Sequence, residues 1–557
     1  MGQFGQNRVQ WISAMELGLR TLISPRILGF FELQGYYPSP HGRWPCLMTP
    51  TSRNCSRIFW LFALTHLLLW TLLPTLGRHE LDTDSMMHFA WGQEWMGSYH
   101  LHPPVLPWVV AGFLKTVGIS NWTYNLLTQL NFLLALFCVW RLAREVLPPV
   151  QALTAVCLLE FIPFFSFFSM RLNHSSMLIP IWALTILLAY FAIQRGQYRY
   201  WIALGLISGV AMLTKYYSAA MLPGIALYLL LFAKGRQTLT TPGPYLSLTL
   251  FLIMMGWHLW YVDSHQMGTV THIGDYVASD ISSRIKAVRF LFAQLLYLAP
   301  LLLVFFTVLF YQRRKTPAET SDEILQNQGL SSFIYWMFLF PLIGTAVVGF
   351  LAGIGASSRW GGPTLNLAGI ALLLYWPMAA NAPALKHLIR AAFGWLLVLP
   401  PMLLFTGLVT SGHAMYHFPG KELGRDITAL WRNAHQTPLR IVGGGHDAPD
   451  SIAFHSPDHP SVLQHLSHQW SPWITQEDIA RDGMAVICLK SDTRCLKNAN
   501  TLFPEYGLTP LRVTAKAGLF FPGSEREFLY FFVPPGTSAA NLETITPLPM
   551  RADQQTN

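Results

Sequence analysis

The chain alternates between apolar runs of about 18 to 22 residues, the length a helix needs to cross a hydrocarbon layer, and short polar breaks. The runs fall at about 58–77, 122–141, 150–169, 176–194, 201–214, 218–232, 245–262, 290–311, 332–353, 363–380 and 391–411. The two in the stretch 201–232 read as short spans hinged at Lys215-Tyr216-Tyr217. Val105 to Gly118 is apolar but too short to span comfortably, and reads as a re-entrant or interfacial helix. The pattern predicts a polytopic α-helical membrane protein with about eleven transmembrane helices.

The pattern changes from about His413. KELGRDITALWRNAH has helical periodicity, whereas LRIVGGG, SIAFHS, MAVICLK and FLYFFVPP read as short strands. A small C-terminal α/β domain of roughly 130 residues fits. The expected organisation is a cytoplasmic N-terminal extension at 1–57, a membrane domain at 58–412 and an external α/β domain at 413–557. Gly443-Gly444-Gly445 follows a strand but lacks the Lys or acidic partner of a phosphate loop, so it reads as a turn.

Composition supports the membrane reading: of 557 residues, 52% are hydrophobic and only 12% charged. The net charge of +9 does not point to nucleic acid, because the basic residues sit in short clusters between apolar runs. Such clusters set orientation, with Lys and Arg on the cytoplasmic side. Arg313-Arg314-Lys315 is the clearest of them. The N-terminus is then cytoplasmic and the C-terminus external. The first apolar run lies too far along the chain for a cleavable signal peptide. Cys138 and Cys157 fall within apolar runs and read as small core residues. Cys488 and Cys495 are close enough for a short hairpin disulfide in an oxidising compartment, although Cys488 could instead point into the domain core.

The candidate chemistry lies in Arg78 to Pro104, RHELDTDSMMHFAWGQEWMGSYHLHPP, directly after the first span. It sets Glu80, Asp82 and Asp84 beside the bilayer, where carboxylates are costly and usually functional. Met86, Met87, Phe89, Ala90 and Trp95 then form an amphipathic stretch suited to a membrane surface. His102-Pro103-Pro104 closes the segment with a corner that cannot continue a helix. The topology brings Arg171-Asn173-His174, Lys215-Tyr216-Tyr217 and Arg359 to the same face. Lys215 offers a compact charge for phosphate and Arg359 a planar fork, although either could simply anchor at the headgroups.

Trp91-Gly92-Gln93 followed by Tyr99-x-x-His102-Pro103-Pro104 resembles the first external loop of GT-C membrane glycosyltransferases. The branch is that of the protein O-mannosyltransferases and lipid A aminoarabinose transferases. Leu213-Thr214-Lys215-Tyr216 and Arg359-Trp360 are similar to further motifs of that branch, and the likeness covers roughly residues 58 to 410. The resemblance implies the GT-C fold and transfer of a sugar from a polyprenyl-phosphate donor to a lipid, glycan or protein acceptor of the envelope. It places the active site on the periplasmic face of a bacterial inner membrane. Asp84 aligns with the catalytic carboxylate; the Glu that follows in the family is Ser85 here, so Asp82 stands as the alternative. Lys215, Arg359 and Arg171 would meet the donor phosphate, with His102, Tyr216 and Tyr99 shaping the site. No cofactor is called for with certainty. Some relatives hold a divalent ion externally, and Asp263, His265, His272 and Asp275 form a loose polar set without diagnostic metal spacing.

A transporter or lipid flippase is the alternative. Transporters place ionisable groups in mid-span near broken helices, and here Glu160 is the main such residue. A catalytically dead scaffold whose external domain binds a partner is a third reading. The topology is testable by labelling single cysteines placed at position 84 and in the domain after His413 in intact cells. Both should react with an impermeant thiol reagent from the same side; labelling from opposite sides would remove the site assignment.

Overall fold

The computed structural model describes residues 50–265, 267–269, 281–313, 328–378, 382–409, 418–515, 524–537 and 542. Most of the expected N-terminal extension, Arg314, Lys315, His272 and Asp275 lie outside the described residues. The chain runs through α1 (Pro50–Gly77), α2 (Thr83–Gln93), α3 (Val105–Val117), α4 (Asn121–Val146) and α5 (Pro149–Cys157), then three 3-10 turns ending at Met170. There follow α6 (His174–Arg195), α7 (Tyr198–Thr214), α8 (Leu222–Leu231), α9 (Ala233–Thr238) and α10 (Gly243–Ser264). The bundle ends with α11 (Ile281–Arg313), α12 (Gln328–Ala352), α13 (Ala368–Tyr375) and α14 (Pro383–Val409).

Seven of these, α1, α4, α6, α10, α11, α12 and α14, are long and apolar enough to cross a membrane, and the chain is a multi-pass membrane protein. The other expected spans are broken, each for a local reason. The stretch from Pro149 to Met170 bends by 89°. Ile162 is driven to extended geometry (φ −83°, ψ 125°) by the ring of Pro163. α7 stops where Lys215 turns extended (φ −160°, ψ 131°). The run at 363–380 opens as a 3-10 helix, Ser358–Leu367, through Gly361, Gly362 and Pro363, before α13 takes over.

Glu160 lies at the bend and is fully buried. It accepts hydrogen bonds from His66 Nδ1 at 2.8 Å and Trp70 Nε1 at 3.2 Å, both on α1. A buried carboxylate needs such partners to be tolerated. This one ties α1 to the bend inside packed protein.

The C-terminal domain begins with α15 (Gly420–His435), the expected helix. β1 (Ile441–Gly444), α16 (Asp447–His455), β2 (Ser461–Gln464), α17 (Gln476–Asp482), β3 (Met484–Leu489), α18 (Thr493–Leu502), β4 (Thr509–Thr514) and β5 (Glu525–Val533) follow. The sheet order is β2-β1-β3-β5-β4, with β1 parallel to β2 and β3, and β5 antiparallel to β3 and β4. Of residues 451–456, read from sequence as a strand, 451–455 belong to α16 and Ser456 is its C-cap. Asp447 and Asp450 favour a helix N-terminus and Pro449 is tolerated in the first turn, while Ala448, Ile452 and Ala453 are buried in the domain core. Gly443 and Gly444, read as a turn, finish β1, where a Cβ on Gly444 would strike the Ile487 carbonyl. The Cys488–Cys495 disulfide forms, and it joins β3 to α18 rather than closing a hairpin.

α2 does not lie on a membrane surface: every residue from Ser85 to Gly92 is buried. Of the expected apolar stripe, Met86, Met87, Phe89 and Ala90 are covered by the C-terminal domain, while Trp95 stays exposed. Leu81, Met86 and Phe89 share a core with Phe454, while Ala90 packs with Ile452 and Val462. Trp91 Nε1 donates to Gln464 Oε1 at 2.9 Å, and Ser461 Oγ donates to Glu94 Oε1 at 2.7 Å. Glu80, also buried, pairs with His455 Nε2 at 2.9 Å. On the other side Gly92 lets α2 approach α3 so closely that a Cβ would meet the Pro107 carbonyl. Replacing Trp91 with Phe keeps an aromatic ring but loses part of the buried indole and strands the Gln464 amide oxygen, the latter at a cost of about 1–3 kcal/mol. Thermal unfolding of the purified full-length protein should show a lowered Tm for this variant; an unchanged Tm would mean that the Trp91–Gln464 contact holds nothing.

Candidate active site

Two capping arrangements build the site. Asp82 is the N-cap of α2, and its Oδ2 accepts a hydrogen bond from Ser85 Oγ at 2.7 Å. Asn173 caps α6, taking the Ser175 and Ser176 N–H groups at 3.0 and 2.9 Å. The first cap leaves Asp84, in the opening turn of α2, facing the site with its carboxylate open. The second fixes Ser175, whose Oγ receives Lys215 Nζ at 2.8 Å. Lys215 also sits 5.0 Å from the centre of the Trp360 ring, joining the α7 break to the turn that carries Arg359.

Asp84 is the meeting point of these charges. Arg171, Arg359 and Lys215 all act on it, each from a separate break in the bundle. The protein crowding the carboxyl, and then the neighbouring Asp82 carboxylate, raise its pKa above the usual range. His446, Arg171 and Arg359 oppose that rise. Thus Asp82, Asp84, Lys215, Arg359 and Arg171 converge. His102 joins them through the buried His174, with ring centroids 3.9 Å apart. His88 lies on the other side of His174 at 4.7 Å, its pKa pushed down to about 3 by burial and then by the charge of His446.

The remaining predicted residues lie farther out. Tyr99 is buried and stacks on Trp91 with centroids 5.2 Å apart, and its N–H bonds the His102 carbonyl at 3.1 Å. Tyr216 hydrogen bonds to His258 Nε2 at 2.6 Å, and His258 Nδ1 lies 3.2 Å from the Gly97 carbonyl. Tyr216 therefore ties the α7 break to α10, and His258 ties α10 to the loop before the His-Pro-Pro corner. Asp263 ends α10 and His265 stacks on Tyr261. Among the described residues no group of three or more His, Cys, Asp or Glu side chains is arranged to hold a metal ion.

Sequence reasoning missed the contribution of the C-terminal domain. His446, Asp447 and Asp450 come to the mouth of the site from the end of β1 and the start of α16. His446 Nδ1 is 3.6 Å from Asp447 Oδ1 and 3.8 Å from Asp450 Oδ2. The Thr83 side chain hydrogen bonds to the Asp447 carboxylate. Gln464 Nε2 donates to both Asp450 oxygens at 3.0 and 3.1 Å while its own oxygen receives Trp91. Burial works against a charge on His446, yet Asp447, Asp450 and Asp84 raise its pKa to about 9. Burial pushes Asp450 up to about 7, against the pull of His446 and Gln464. One signal was available: in an α/β sheet, functional groups collect beyond the carboxyl ends of parallel strands, and His446-Asp447 follow β1 with only Gly445 between.

Residues 101–261 match the dolichyl-phosphate-mannose-protein mannosyltransferase family. The chain is 25% identical over 261 residues to the lipid A galacturonosyltransferase RgtD of Rhizobium johnstonii, an alignment covering 46% of this chain. The chain spans about half the length of that curated relative, 54%. Among solved structures it superposes on ArnT from Cupriavidus metallidurans bound to undecaprenyl phosphate with a TM-score of 0.52. That match has 14% identity and covers 84% of this chain and 97% of ArnT. The apo form of ArnT gives a TM-score of 0.51 at 14% identity, over 86% and 98% of the two chains.

Proposed function

From a chain built on the GT-C glycosyltransferase fold, we propose a membrane glycosyltransferase that moves a sugar from a polyprenyl-phosphate donor to a lipid A-type acceptor of the envelope. The observation that carries this reading is the convergence of one open carboxylate, Asp84, with Lys215, Arg171 and Arg359. ArnT is described bound to undecaprenyl phosphate and RgtD as a lipid A galacturonosyltransferase, which supports the donor and acceptor classes. The chemistry is placed at the periplasmic face of a bacterial inner membrane, with the N-terminus cytoplasmic and the C-terminal domain periplasmic.

In the proposed reaction an acceptor hydroxyl oxygen attacks the anomeric carbon as the bond from that carbon to the phosphate oxygen breaks. Asp84 orients the hydroxyl and takes its proton. Polyprenyl phosphate leaves with the bonding electron pair, and Lys215, Arg359 and Arg171 stabilise its added negative charge. Asp82 is held by Ser85 and shapes the start of α2. The outer ends of α11 and α12 flank a cavity of about 480 Å³ lined by Ile285, Val288, Phe292 and Phe350, with Arg284 and Arg289 beside it. It is the berth we assign to the first isoprene units. Lys286 of the same helix lies against Gly355, in the turn that leads to Arg359.

The test is transfer by the purified full-length protein in lipid nanodiscs, with a polyprenyl-phosphate sugar and lipid A as substrates. Asp84→Asn keeps the shape but removes the proton acceptor, so turnover should fall by about 100-fold or more with donor binding largely retained. Lys215→Ala should weaken donor binding and lower turnover together, and Lys215→Arg should rescue only in part. Asp82→Asn should do much less than Asp84→Asn; the reverse order would move the catalytic role to Asp82.

A further inference from the structure

We propose that His446, which the C-terminal domain brings to the first turn of α2, is a positioning residue of the transfer site that holds the Asp84 carboxylate toward the acceptor. This rests on the reading of Asp84 as the carboxylate that receives the acceptor proton. The site would then be complete only with the C-terminal domain docked on α2.

Three features of the geometry carry it. His446 is placed by a short path: one residue, Gly445, separates it from β1, and it is the N-cap of α16, whose first turn the Asp447–Thr83 hydrogen bond fastens to the first turn of α2, next to Asp84. Its Nδ1 edge is turned to Asp447 and Asp450, so the opposite edge of the ring is the one left for the site. The support behind it is continuous, from Asp450 to Gln464 and from Gln464 to Trp91, all three fully buried and the last on α2 itself. A surface histidine has no need of a buried carboxylate, a buried amide and a buried indole in series behind it.

Charged and titratable groups reach the pair from several elements, among them Tyr124 of α4, which faces Asp82 and Asp84. Asp84 has Asp82 beside it on α2 and faces Arg171, Lys215, Arg359 and His446. His446 faces Asp84 and His88 from α2, Asp447 and Asp450 from α16, and His465, whose ring centroid is 5.8 Å away beyond β2. Asp492, which caps α18 through the Cys495 N–H, lies beside Gly445. Arg171, Arg359 and Lys215 reach Asp84 from the membrane bundle, and His446 reaches it from the C-terminal domain.

The experiment measures kcat and KM across the pH range for the full-length protein in nanodiscs, using the polyprenyl-phosphate sugar donor, for wild type, His446→Gln, His446→Arg and Asp84→Asn. A carboxylate acting as base gives activity that rises with pH through its pKa, and removing a nearby positive charge moves that limb to higher pH. His446→Gln should lower kcat by about tenfold, leave the donor KM within about twofold, and move the acid limb up by about one pH unit. His446→Arg, which keeps the charge, should return the limb toward its wild-type position. Two results overturn the proposal while Asp84→Asn is inactive: a His446→Gln variant with wild-type kcat and pH profile, or a fall in kcat with an unmoved limb and no rescue by Arg. Full activity of Asp84→Asn would instead overturn the reading of the site itself.

Discussion

A carboxylate surrounded by protein keeps its charge only when opposite charge is brought beside it, and the architecture is organised around that constraint at Asp84. The three bundle cations that act on it sit at breaks in the helices: after the bend that ends at Met170, at the extended Lys215, and in the 3-10 helix after Ser357. Regular transmembrane helices would point such side chains into lipid or into a packed core. The irregular backbone that divides the expected spans is also what places cations at one spot, and it is tolerated because it faces a polar site.

The second dependence runs through α2. The helix is too short to be stable alone and is apolar around most of its surface, so it holds its place by burial on two sides. α3 takes one side across Gly92, and the C-terminal domain takes the other through Phe454, Gln464 and Ser461. Glu80–His455 and His79–Glu422 add paired charges at the same seam. The position of Asp84 is therefore set jointly by the membrane bundle and by a domain more than three hundred residues away in the chain.

Much of this was legible in the chain because hydrophobic length and period report directly on burial. The long helices, the α/β character of the C-terminal domain and the Cys488–Cys495 bridge all followed from pattern and spacing. The acidic loop, Lys215 and Arg359 were visible as charges where charge is costly. What stayed hidden depends on tertiary contact. Nothing local to Met86, Phe89 and Trp91 distinguishes an apolar face meant for lipid from one meant for a domain. Residues 451–456 have strand-like composition, and the helix is decided by the acids and the proline that precede them. His446 looks ordinary until α16 is packed on α2. The family motif put Asp84 at the catalytic position with Asp82 as the alternative, and nothing local to the two shows that the Ser85 hydroxyl donates to Asp82.

Transfer of a sugar to an envelope molecule is the activity we propose for this constellation. Comparison of envelope glycolipids and glycoproteins by mass spectrometry, from cells carrying and cells lacking the gene, tests it most directly. Cells that lack the gene should hold a lipid A species lighter by one sugar residue, restored when the gene is returned, and should accumulate the polyprenyl-phosphate sugar. Identical spectra from the two strains, with no change in the lipid-linked sugar pool, would contradict the proposed activity.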